Sequence, residues 1–211
     1  MLTLLDGRLF LLFLAAATLL AVTPGPGIFY VLTRSLAGGR RDGVLSALGT
    51  FVGGLVHVLG AGFGLSAVLA ASATAFAIVK YAGALYLLWL GIAMIRSRNL
   101  PMEAVSPHSV SAHAFRQGVL TEVLNPKTAL FFLSFIPQFV NPGMGHIVVQ
   151  FLLLGLASVV LNTTADLFVV SFAVSIGTRL RSHPRFRRDQ RVASGMAIIG
   201  LGAFVAFGES R

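Results

Sequence analysis

The run Gly118–Val140, GVLTEVLNPKTALFFLSFIPQFV, is long and apolar enough to cross a bilayer, yet Asn125-Pro126-Lys127 stands in its middle. Proline has no N–H and its ring clashes with the turn before it, so a helix does not pass through it undisturbed. Asn is a capping residue and Pro fits the first helical position. The stretch therefore predicts a short helix to about Leu124 and a second one restarting at Pro126. Freed backbone at membrane depth is tolerated only where protein or a watery cavity satisfies it. The first apolar run carries a matching break, Thr23-Pro24-Gly25-Pro26-Gly27. Two Pro/Gly-interrupted segments, one in each half of a chain, point to a transporter's binding site.

Composition agrees with a bilayer setting. Of the 211 residues, 56% are hydrophobic and 11% are charged, against roughly 25% charged in a soluble domain. The net charge of +9 does not indicate nucleic acid, because the basic residues lie in short gaps between apolar runs, as in cytoplasmic loops. With no Cys there are no disulfides, thiolate metal sites or Cys nucleophiles.

Six candidate spans follow: about Arg8–Leu32, Leu45–Ala70, Ala73–Ile95, Gly118–Val140, Ile147–Ala173 and Val192–Phe207. Each is near the ~20 residues that cross ~30 Å of hydrocarbon. The first run is longer than a signal-peptide core, and Asp6 spoils a basic leader, so it reads as a span. Arg34, Arg40 and Arg41 follow span one, and Arg96, Arg98 and Arg116 follow span three. Arg179, Arg181, Arg185, Arg187, Arg188 and Arg191 follow span five. The positive-inside rule puts these three connections in the cytoplasm and both termini outside. The Ser/Pro-containing stretch 96–117 reads as a polar connector between two three-span halves, 1–95 and 118–211. An odd number of spans per half implies opposite insertion, hence an inverted repeat.

Both breaks lie about nine or ten residues from the cytoplasmic end of their spans, or about 13–15 Å at 1.5 Å per residue, close to the midplane. The two restarted helices then bring their N-termini to one level, where free N–H groups and partial positive charge suit a carboxylate. Asp166 falls in the middle of span five, where a charge is costly and marks an ion or proton route, or else a structural pair between helices. Asn162, four residues earlier, shares its face. Glu122, three residues before the NPK break, reads equally as a second titrating group or as a solvated helix end. Pairing of Lys127 with Asp166 or Glu122 is favoured over snorkelling along the restarted helix. His57 shares a face with Gly49, Gly53, Gly60 and Gly64, a small-residue pattern for close helix approach. It reads first as a hydrogen-bonding His buried at that interface, and second as a proton relay. Trp89, Tyr81 and Tyr86 read as packing or interface residues. Neither a P-loop nor HExxH is present, no cofactor is expected, and His108 and His113 are a weak metal signal.

The stretches TPGPGIFYVLTRSLAGGRRDGVLSALGTFVGG (23–54) and GVLTEVLNPKTALFFLSFIPQFV (118–140) resemble the LysE/RhtB family of amino-acid exporters. The early PGP, the Arg/Gly-rich loop after it and LNPK in span four carry the likeness together. The resemblance implies proton-driven efflux of amino acids or related solutes across the bacterial inner membrane. Its motifs fall on Pro24, Gly25 and Pro26, and on Asn125, Pro126 and Lys127. Some members have Asp where this chain has Gly54, and Asn where it has Gly27, and the family has acquired members for other cargo.

The combined expectation is an all-α polytopic membrane protein, not an enzyme, with Pro-broken helices one and four. It would export zwitterionic or anionic solutes by alternating access. Thr23, Pro24, Gly25, Pro26, Gly27, Asn125, Pro126 and Lys127 would line the substrate site. Asp166, with Glu122, Asn162 and His57 behind it, would couple protons. A homo-oligomer is compatible with this. The alternatives are a metal-cation exporter, for which few ligands are at hand, and a structural membrane subunit without transport.

Overall fold

The computed structural model describes residues 7–65, 72–99 and 113–207, and every regular element among them is helical. In chain order these are α1 (Gly7–Val22), α2 (Pro26–Leu59), α3 (Ala73–Arg96), α4 (Ala114–Val123), α5 (Pro126–Leu130), α6 (Ile147–Ser182) and α7 (Pro184–Phe207). The predicted connector falls largely outside the described residues, as do His108, both chain ends and the end of the predicted second span.

Helix α2 joins what the sequence reads as the end of span one and most of span two. It is not straight. Gly39 has φ 74° and ψ −168°, a conformation open to glycine because it has no Cβ. A Cβ added at Gly43 would lie 3.1 Å from the Cβ of Ser35. Eight residues of straight helix would hold these positions about 12 Å apart, so the chain folds back at Gly39. Val31 and Ala47, eight residues to either side of the turn, share one buried cluster with Val170. The two arms, 26–38 and 40–59, form an αα-hairpin, and the predicted Arg-rich loop is reduced to one glycine.

The NPK break forms as the sequence predicts. Asn125 caps α5 by accepting the Lys127 N–H at 3.1 Å, and Pro126 takes the first helical position. The segments Ala114–Val123 and Pro126–Phe139 are bent by 43°. The restarted helix is less regular than expected, passing through a π-turn at Phe131–Phe135 into a 3-10 turn at Ile136–Phe139. Pro137 is the physical reason, since it cannot donate to the Leu133 carbonyl and its ring pushes that carbonyl aside.

The fifth and sixth spans extend further than expected. Helix α6 starts at Ile147 as predicted but runs to Ser182, and α7 starts at Pro184 instead of Val192. The Arg-rich stretch read as a loop is helical on both sides of His183. Arginine is a good helix former, and proline at the first position costs nothing.

Helix α2 packs most extensively on α4 and α6, and α3 packs on α7. Close approach explains the glycines. A Cβ at Gly53 would meet Glu122 Cβ and the Val119 carbonyl at 2.7 Å, and a Cβ at Gly91 would meet the Gly195 carbonyl at 2.6 Å. Of the four glycines predicted to form one close face, Gly49 and Gly53 do so, whereas Gly60 and Gly64 have nothing within 4 Å. Large side chains such as Leu11, Ile78, Leu85 and Trp89 stand exposed on the outside. Among the described residues, Pro26–Gly64, Ile147–Arg179 and Pro184–Phe207 are long and apolar enough to cross a membrane, and the bent pair adds a fourth. Helix α1 is apolar but shorter, at 16 residues.

Candidate functional site

The two proline breaks meet. Pro24 cannot donate to the carbonyl four residues before it, that of Leu20, and Pro126 likewise leaves that of Glu122 short of its helical partner. Side chains from elsewhere in the fold take both. The Lys127 ammonium donates to Leu20 O at 3.0 Å and to Thr23 O at 2.7 Å, closing the end of α1. His57 Nε2 lies 2.9 Å from Glu122 O. A carbonyl only accepts, so that nitrogen carries the hydrogen. Each break is completed by a residue remote in sequence.

These contacts revise the readings of Lys127 and His57. Lys127 is buried and hydrogen-bonded to α1 carbonyls, instead of being paired directly with Asp166 or Glu122. His57 sits half-buried at the α2–α4 interface, its ring tilted against Phe132 with centroids 5.8 Å apart. That matches its first reading, and it does not line the cavity described below.

Glu122 is buried, not a solvated helix end. One carboxylate oxygen accepts the Asn125 amide at 3.0 Å and the other accepts the Thr128 hydroxyl at 2.7 Å. It lies so close to Gly27 that a Cβ there would come within 2.8 Å of Oε2. The N-terminus of α2, expected to await a substrate carboxylate, thus already faces a carboxylate of the protein. Glycine at position 27 leaves the room for it.

Opposite stands α6. Val159, Asn162, Thr163 and Asp166 follow the i, i+3, i+4, i+7 spacing of one helix face and line a cavity with Gly25, Gly27, Thr50, Glu122, Asn125, Lys127 and Thr128. Asp166 is 4% exposed and accepts the Thr50 hydroxyl at 2.8 Å. Predicted residues from both breaks and from span five therefore surround one space. Thr23 lies beside it, hydrogen-bonded to Leu19 O at 2.7 Å. Pro24 and Pro26 border a neighbouring apolar pocket on the other side of Lys127. Thr50 and Thr128 were not singled out as site residues. Their signal was faint: two hydroxyls in apolar runs, with only the fold to face them toward carboxylates.

The cavity holds about 20 Å³, room for about one water, so its polar groups stand close around it. On the side of the Gly39 turn, Tyr30 donates to Ala114 O at 2.7 Å and Arg34 donates to Gln117 Oε1, tying α2 to α4. Arg34 also lies over the Tyr30 ring. On the opposite side the rings of Phe13, Phe131, Phe135 and Phe139 pack together with centroids 4.9–6.5 Å apart. Among the described residues, no group of three or more His, Cys, Asp or Glu comes together to hold a metal ion.

Comparison with known proteins agrees with this architecture. The family model described as LysE type translocator matches residues 18–209. An uncharacterized membrane protein of Pseudomonas aeruginosa is 39% identical over 192 residues, covering 88% of this chain and 86% of that protein. An uncharacterized membrane protein of Vibrio cholerae is 30% identical over 203 residues, covering 96% and 98%. The homoserine/homoserine lactone efflux protein of Salmonella typhimurium is 29% identical over 195 residues, covering 92% and 94%. No solved structure matches.

Proposed function

The chain belongs to the LysE type translocators, membrane transporters of small solutes, and on that premise we propose that it exports small amino-acid-like zwitterions in exchange for protons. The observation that carries the reading is one small polar cavity in which two buried carboxylates, Glu122 and Asp166, stand near one buried ammonium, Lys127. A zwitterion complements that set: its ammonium faces the carboxylates, and its carboxylate faces Lys127 and the α5 N-terminus. A plain anion would meet the two carboxylates unpaired, which disfavours it. The relative named for homoserine efflux makes homoserine the first solute to try.

Transport by alternating access follows from the size of the cavity. Space for one water does not admit an amino acid, so the cavity must open. On one side the Tyr30–Ala114 and Arg34–Gln117 ties part; on the other the edge-to-face contact of Phe13 with Phe139 parts. Asp166 is the proton carrier in this reading, with Glu122 as the second candidate and Asn162 and Thr50 as its neighbours. His57 holds the break and does not carry the proton. The chain crosses the bacterial inner membrane six times, in halves 1–95 and 118–211 joined by a cytoplasmic connector at 96–117, with both termini outside.

The test is counterflow of labelled homoserine, followed by a panel of amino acids, in proteoliposomes of the purified protein. Exchange of at least one zwitterion, lost in Glu122→Gln at normal protein levels, supports the reading. Exchange only of anions without an ammonium group overturns the substrate class.

A further inference from the structure

We infer that the groove between α1, α2 and α6 is a binding site for one anionic phospholipid, seated by its tail and held by its phosphate at Arg179. Val22, Ile28, Leu161, Phe168, Ile176 and Phe186 line it, and it encloses about 480 Å³. A second pocket shares Phe168, Ile176 and Phe186 with it and ends at Arg179. Along α6 the groove runs from Leu161 past a kink at Phe172 to Ile176; the stretch from Leu161 to Phe172 alone rises roughly 16 Å at 1.5 Å per residue, about one hydrocarbon leaflet, half of about 30 Å. Arg179 lies 13 residues beyond Asp166, roughly 20 Å along α6, at the depth of the headgroups.

The groove is long and its walls are apolar, which suits an acyl chain. Charge selects the headgroup. The Arg179 guanidinium lies 5.3 Å from the Phe186 ring centroid and forms no ion pair among the described residues. The first turns of α7 add exposed Arg185 and Arg188 against the single carboxylate of Asp189. A basic site between helices on the Arg-rich side is the arrangement that recognises an anionic headgroup. Ile28 lines both this groove and the polar cavity, so the tip of the tail lies one side chain from the cavity.

The experiment is native mass spectrometry of delipidated protein titrated with phosphatidylglycerol or with phosphatidylcholine of the same chains. One phosphatidylglycerol should bind at several-fold higher occupancy than phosphatidylcholine. Arg179→Gln should bring the two to parity, and Ala165→Trp, at a position that lines the groove, should fill it and reduce both. In wild-type protein alone, phosphatidylglycerol should raise the melting temperature more than phosphatidylcholine does. Equal occupancy of the two lipids, or a preference unchanged in Arg179→Gln, overturns the proposal. So does efficient cross-linking of Ala165→Cys between copies in membranes, because the groove would then be covered by protein.

Discussion

The Nζ of Lys127 lies 2.7 Å from the carbonyl oxygen of Thr23, although 104 residues separate them. The second helix break therefore completes the first, because Pro24 has no N–H to give and the Leu20 carbonyl otherwise shares a single Thr23 N–H at 3.2 Å with Leu19 O. Position 127 is a structural cap before it is a ligand. Lys127→Met keeps much of the bulk and removes the cap. Hydrogen bonds to charged groups are worth about 1.5–3 kcal/mol each, so a loss of several kcal/mol is expected, read as a lowered melting temperature in detergent together with lost counterflow. Wild-type stability in Lys127→Met would show that water satisfies those carbonyls.

His57→Phe should lower stability by about 0.5–1.5 kcal/mol, the worth of one hydrogen bond, because the Glu122 carbonyl keeps the Asn125 N–H at 3.0 Å. The pH profile of transport by the surviving protein should keep its wild-type shape. A displaced profile would make His57 part of the proton route.

Asp166→Asn keeps shape and hydrogen bonding but cannot carry a proton. Uptake driven by a pH gradient into inverted vesicles should vanish while counterflow without a gradient persists. Thr50→Val removes the hydroxyl shared between Asp166 at 2.8 Å and Ala47 O at 2.9 Å and should leave measurable coupling. Wild-type coupling in Asp166→Asn would move the proton to Glu122, and failure in both assays at normal protein levels would make Asp166 a substrate ligand.

Tyr30→Phe deletes the bond to Ala114 O, worth about 0.5–1.5 kcal/mol, so the population open toward the Arg-rich side should rise about two- to tenfold. A cysteine at Thr128, in this Cys-free chain, reports that opening through its labelling rate by an impermeant maleimide in inverted vesicles. An unchanged rate would separate the Tyr30 tie from gating.

Gly53→Ala should destabilise by about 1–3 kcal/mol, because its Cβ meets Glu122 Cβ and the Val119 carbonyl at 2.7 Å. Gly60→Ala meets nothing within 4 Å and should be neutral or slightly stabilising. Equal melting temperatures for the two variants would contradict the close α2–α4 packing.

The sequence by itself determined the all-helical membrane class, both break positions and the short list of buried polar residues. Those are local properties: a proline has no N–H wherever it sits, and an apolar run of about 20 residues has few other uses. It also determined that Asn125 caps α5, because the cap and its donor, the Lys127 N–H, are two residues apart. Only the tertiary structure decided which remote group repairs each break. Lys127 and Leu20, His57 and Glu122, and Thr50 and Asp166 are 107, 65 and 116 residues apart, and no local pattern encodes such pairings. Burial decided them, because each freed carbonyl or carboxylate out of reach of water takes whatever donor the packing supplies. The loops were misjudged for a related reason. Charge marked Arg40–Arg41 and Arg179–Arg191 as polar, but helices tolerate arginine, and one glycine or one histidine was enough to turn the chain.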